Sequence, residues 1–129
     1  MLETTFSTDA GTVRVIDSLN QSANGLLPWA ELARDIRAEL AEGPLLYRFT
    51  GADKIEGTFV ACSFWLIDAL VRNGHKPAAR KLWRELAAHT SELGLLAEEI
   101  DPDTGAFLGN LPQGLSHLAL LNAAALLDT

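Results

Sequence analysis

The stretch from Phe59 to Val71 is apolar on nearly every side, broken only by Ser63 and Asp68, and it lies between Gly57 and Asn73-Gly74. A run of this length is too short to cross a bilayer. It is therefore a core helix, and a helix apolar all round needs neighbours on more than one side. Thr58 is placed to cap its start and Asn73-Gly74 to end it, which predicts a helix from Thr58 to Asn73.

Three further helices supply those neighbours. Pro28 suits a first turn, and Trp29, Leu32, Ala33, Ile36 and Leu40 recur at helical spacing until Gly43-Pro44. The next opens at Pro77 and carries Ala79, Leu82, Trp83, Leu86 and Leu93 on one stripe up to Gly94, with Arg80, Lys81, Arg84 and Glu85 outward. The last begins between Pro112 and Ser116 and continues through Leu118, Leu121, Leu126 and Leu127. The expected core is Leu32, Ile36, Phe59, Phe64, Trp65, Leu82, Leu86, Leu118 and Leu121, each large side chain contributing roughly 1.5–3 kcal/mol on burial. The prediction is a mainly α fold of four principal helices in antiparallel pairs. Leu2–Phe6 and Thr12–Ile16, joined through Asp9 and Gly11, add a short N-terminal β-hairpin. The small polar stretch Asn20–Gly25 reads as a loop, giving a single domain over 1–129 with hairpin and loop in 1–27 and helices in 28–129.

Charge and cysteine content narrow the partners. With 17 acidic against 10 basic side chains and a net charge of −7, the surface has no footprint for nucleic acid or an anionic membrane. A lone cysteine, Cys62, forms neither a disulfide framework nor a cysteine-based zinc site and reads as a small core side chain. The opening Met1–Thr5 has no basic and apolar leader pattern, so a cytoplasmic location is expected.

Between the third and fourth helices, residues 95–110 form a turn-rich loop, the kind of segment on which sites are mounted. Glu98, Glu99, Asp101 and Asp103 put four carboxylates in six residues. Such a cluster suits general acid/base work or a divalent cation, but it lacks the order of a calcium loop and equally suits a solvated acidic loop. His75, His89 and His117 are dispersed without metal-ligand spacing, so neither metal nor cofactor is expected. Trp29, Trp65 and Trp83 could stack on sugar rings, or pack in the core.

Four ordered strings carry a resemblance: Leu45-Leu46-Tyr47-Arg48-Phe49, Glu56 to Leu66, Gly94 to Pro102, and Gly109 to His117. Together they resemble the C-terminal part of the catalytic domain of glycoside hydrolase family 15, the glucoamylase and trehalase family, over residues 45–129. Leu2–Phe6, Gly11–Asp17 and Leu27–Leu32 resemble a piece of the β-sandwich domain of bacterial members. The two blocks meet near Ile36–Glu39, so the resemblance implies an internally deleted form whose helices are a partial layer of an (α/α)6 barrel. It further implies that Glu98 matches the family's general base and that Arg48 matches a residue that hydrogen-bonds substrate hydroxyls; Tyr47 and Trp65 join Arg48 as candidate sugar-binding residues by their aromatic type. The family's general acid falls in the missing middle.

Three functional classes follow. The first is a self-associating helical module, with a dimer favoured because the Thr58–Asn73 helix is too apolar for three neighbours to cover. The second is a carbohydrate-binding remnant around Arg48, Tyr47, Trp65 and the Glu98 loop. The third is an inverting hydrolase of α-glucosides assembled from several chains, with Glu98 as base and Glu56 or Asp101 as a substitute acid. Inversion requires two carboxyl groups roughly 6.5–9.5 Å apart across the scissile bond, so the chain alone is expected not to be an efficient enzyme.

Overall fold

A computed structural model describes residues 2–8, 11–17 and 36–128. The fold is mainly α. Strands β1 (Leu2–Thr8) and β2 (Gly11–Asp17) pair antiparallel with Leu2 opposite Asp17 and Thr8 opposite Gly11, forming the expected hairpin. Of the first expected helix, 36–40 is described (α1). The rest of it, the 18–27 connection and the core position Leu32 lie outside the described residues.

A tight hairpin of β3 (Ala41–Glu42) and β4 (Leu45–Leu46) follows, turning at Gly43, whose φ of 60° suits a residue without Cβ. Strand β5 (Thr58–Phe59) leads into α2 (Val60–Arg72). Thr58 does not cap α2: it belongs to the strand, where its hydroxyl donates to Ile100 O at 2.6 Å, and Phe59 holds the cap position.

Helix α3 (Lys76–Ala87) follows a three-residue link, and Phe64 meets Trp83 edge to face at 5.8 Å, so α2 and α3 run antiparallel. Helix α3 stops at Ala87, short of the expected Gly94, and Leu93 is 84% exposed rather than on the buried stripe.

Helix α4 (Gly114–Asp128) sets off from the same end as α2. Val60 N–H donates to Glu98 O at 3.1 Å and the Ser116 hydroxyl to the adjacent Ala97 O at 2.8 Å. Further along the helices, Asn122 reaches Asp68 at 3.3 Å.

The expected loop 95–110 contains two further strands, β6 (Glu99–Ile100) and β7 (Phe107–Leu108), in a three-stranded antiparallel sheet of order β5-β6-β7. Two-residue strands leave no alternation for periodicity to reveal.

Phe59, Val60, Phe64, Leu66, Ile67, Leu70, Leu82, Leu86, Leu96 and Ile100 form the core, with Leu45 and Leu46 of β4. Phe59, Phe64, Leu82 and Leu86 are buried as expected, and Ile36 packs against the cluster. Three expected core residues are not buried: Trp65 is 47%, Leu118 65% and Leu121 62% exposed. The face of α4 that is buried is mostly small, made of Ser116, Ala119 and Ala123 with Leu127, because short side chains let its backbone approach α2 while Leu115, Leu118 and Leu121 point away. Helix α2 is thus covered on most sides, with Trp65 its exposed large apolar residue, and more exposed apolar surface lies on α4. Among the described residues no helix is long and apolar enough to cross a membrane.

Candidate functional site

The segment Leu96–Glu98 is stapled between the first turns of α2 and α4. Besides the Ala97 and Glu98 carbonyl bonds, Gln113 N–H donates to Leu96 O at 2.9 Å. Leu96 N–H donates to His117 Nε2 at 3.3 Å, while His117 Nδ1 lies 2.7 Å from Gln113 O. With Nε2 accepting, Nδ1 carries the proton. His117, dispersed in sequence, is therefore a structural tie, and it fixes the backbone on which Glu98 is mounted.

Glu98 and its neighbour Glu99 have different partners. Glu98 Oε2 accepts from Asn110 N–H at 3.1 Å and from Asn110 Nδ2 at 2.9 Å, and its own N–H donates to Asn110 O at 2.9 Å. Among the described residues no protein donor reaches Oε1. Glu99 Oε2 accepts from Gly57 N–H at 3.1 Å, and its Oε1 faces Arg48 Nη2 at 3.8 Å.

Arg48 holds Glu56 with two hydrogen bonds, one of them Nε to Oε1 at 2.8 Å, and lies over the Phe59 ring at 5.0 Å. The hydrogen bond to Glu56 raises the Arg48 pKa, and the charges of Glu56, Glu99 and Glu98 add to it. A cleft of about 450 Å³ opens beside this network, lined by Tyr47, Glu56, Gly57, Glu99, Asp101 and Leu108 among others. Partial burial, followed by the negative charges of Glu42, Asp53, Asp103 and Asp101, pushes the Tyr47 hydroxyl above its ordinary pKa and keeps it a donor at neutral pH.

The structure therefore gathers Tyr47, Glu56 and Glu99 at one cleft; Arg48 lies outside its lining, paired with Glu56 and facing Glu99, and Glu98 also lies outside it, held by Asn110. Trp65 stands apart, further along α2 and outside the cleft lining. Asp101 Oδ1 accepts from Asp103 and Thr104 N–H, both at 2.9 Å. The Thr104 backbone bond is the larger cause of its lowered pKa, so this carboxylate holds its own turn. Burial pushes the Cys62 thiol up to about 11, which leaves it no nucleophile at neutral pH. Among the described residues no group of three or more His, Cys, Asp or Glu is placed to hold a metal ion.

Two partners of Glu98 escape reasoning from sequence. Asn110 lies twelve residues away, brought back by the β6-β7 hairpin, and Gly109 leaves room for the carboxylate. A Cβ on Gly109 would stand 2.8 Å from Glu98 Oε2, and its φ is +67°. Gly109→Ala is accordingly expected to cost about 1–2 kcal/mol in backbone strain, read by urea denaturation. It should also displace Glu98, read as a shift of the Asn110 side-chain amide resonances.

The Arg48 hydrogen bond lowers the Glu56 pKa below its ordinary 4.5. A depressed carboxylate adds stability that is fully present above its unfolded pKa and is lost as pH falls through the folded value. Wild type is expected to exceed Glu56→Gln in urea midpoint at neutral pH, with the gap closing below about pH 4.5; a gap independent of pH would contradict the pairing.

With this geometry in place, comparison supplies the class. Residues 43–125 match the model for glycosyl hydrolases family 15, and the chain belongs to that family. It is 47% identical over 94 residues to the trehalase of Mycolicibacterium smegmatis, a match covering 68% of this chain and 14% of that protein. The trehalase of Mycobacterium tuberculosis is 46% identical over the same length and coverage. That of Thermoplasma acidophilum is 38% identical over 92 residues, covering 69% of this chain and 16% of that protein. The matched part thus spans about one seventh of the length of these relatives. No solved structure matches the chain.

Proposed function

We propose that this chain carries the general-base half of a family 15 glycosidase site and binds an α-glucoside, trehalose first among them, without cleaving it alone. The observation that carries this reading is the clamp on Glu98. Both Asn110 donors converge on Oε2 and leave Oε1 open, the arrangement a base needs to orient a water molecule. Arg48, close enough for Glu98 to raise its pKa, and Tyr47 supply donors for sugar hydroxyls. Trehalose is favoured because the relatives above are trehalases.

The missing half is the acid. A proton donor to the leaving oxygen needs a raised pKa. Glu56 is lowered by Arg48, and Asp101 by its turn amides, so both are proton-free at neutral pH and neither serves. Inversion also needs the second carboxyl group across the bond. An assay of glucose release from trehalose and maltose is expected to find none with the chain alone. Release that disappears in Glu98→Gln would overturn the half-site reading by revealing an acid within the chain.

A further inference from the structure

We propose that the outer face of α4 is a self-association surface and that its occupant is the same face of a second copy of this chain. Leu115, Leu118 and Leu121 stand exposed along α4, with Leu111 just before the helix and Trp65 on the neighbouring α2 also exposed. The three leucines, spaced by three, make one ridge of the kind that seats in the groove of a facing helix. Asn122, the polar residue on this face, already donates to Asp68, so covering the face leaves its amide with a partner.

Charge selects the occupant. The chain carries a net −7, and the cleft beside Arg48 is lined by Asp53, Glu56, Glu99, Asp101 and Asp103, so two copies repel over much of their surface. Among the described helices α4 is the exception: from Gly114 to Leu127 it contains no Lys, Arg, Asp or Glu. Two copies can meet there without setting like charges against each other, and a strongly charged partner gains nothing from it.

Area agrees with a pair. The five exposed side chains present roughly 500 Å² on each copy, near the upper end for a single apolar patch on a monomer. A two-fold pair would bury about 1,000 Å² in all, at the threshold for a specific interface, and such an interface is self-complementary by construction. Trp65 at its edge supplies the aromatic anchor that such contacts favour. This inference is independent of the Glu98 reading, since it uses none of the cleft residues as contacts.

Sedimentation velocity on the full chain across the micromolar range tests it. The wild type is expected at twice the 13.9 kDa chain mass. Leu118→Glu and Leu121→Glu should each sediment at the single-chain mass with an unchanged far-ultraviolet circular dichroism spectrum, because both side chains are exposed. Lys81→Glu on the exposed side of α3 should leave the dimer intact. Should a glutamate variant unfold, Leu118→Ser provides the same comparison. A single-chain mass for the wild type throughout the range would overturn the proposal, whether the face is open or covered by another part of the chain. So would a dimer that the α4 variants leave unchanged.

Discussion

Glu98→Gln is expected to lower kcat by about 10²–10⁴-fold once the missing acid is supplied, the range associated with losing a positioned base. The acid is supplied by a composite in which residues 43–125 of this chain replace the matching segment of the Mycolicibacterium smegmatis relative. Glutamine keeps the shape of the side chain, and its amide oxygen can still accept from Asn110, so the loop geometry is preserved. What it cannot do is take a proton from water. The loss should therefore fall on kcat with KM little changed, the signature of an interaction made in the transition state. Steady-state kinetics on trehalose provide the check, and a composite equally active with glutamine would assign the base elsewhere.

Phe64→Ala is expected to cost about 3–5 kcal/mol, the range for emptying a buried aromatic site. Phe64 is 1% exposed and lies at the centre of the α2–α3 contact, edge to face with Trp83. Removing it leaves a cavity between two antiparallel helices whose backbones are fixed at the link by Gly74 and His75, which bond back to Val71 and Leu70. Against a total stability of about 5–15 kcal/mol for a domain of this size, the urea midpoint should fall steeply. Its sequence neighbour Trp65 makes the contrast. Half-exposed where Phe64 is buried, it should lower the midpoint clearly less than Phe64→Ala when replaced by alanine. Similar losses at the two positions would contradict the orientation of α2.

Those adjacent aromatics show what was legible in the chain and what was not. Asn73-Gly74 and Pro77 punctuate the α2–α3 link clearly, and the Leu82, Trp83 and Leu86 stripe of α3 is an ordinary amphipathic pattern, so its buried face follows from spacing. Helices α2 and α4 carry apolar residues all round, and composition then gives no azimuth. In α4 close approach to α2 selects Ser116, Ala119 and Ala123 for the buried side and turns Leu118 and Leu121 outward. A preference for large residues inside reads that helix backwards. Thr58 looks like a cap because a cap and a strand end favour the same hydroxyl; its bond to Ile100 O decides for the strand.

The candidate site was legible in a different way. Nothing in local spacing distinguishes Glu98 from Glu99, and the four carboxylates read equally well as a solvated loop. The ordered family motifs single out Glu98 and Arg48. The structure then separates the two glutamates by their partners, Asn110 for one and Gly57 with Arg48 for the other. Asn110 sits inside a quoted motif without a visible role, since the contact depends on the β6-β7 hairpin folding back over twelve residues. Trp65 is an aromatic of the type that sugar sites use, but its half-exposed place on α2 is not part of the cleft lining.

The Glu98 end of this chain is proposed to recognise an α-glucoside without cleaving it alone. The most direct test is a two-dimensional amide titration of the ¹⁵N-labelled chain with millimolar trehalose, run beside a glucose assay on the same sample. Saturable shifts are expected at Tyr47, Arg48, Glu98, Glu99 and the Asn110 side chain, with no glucose released. Resonances there that do not move, or shifts confined to the face that carries Trp65, would contradict it.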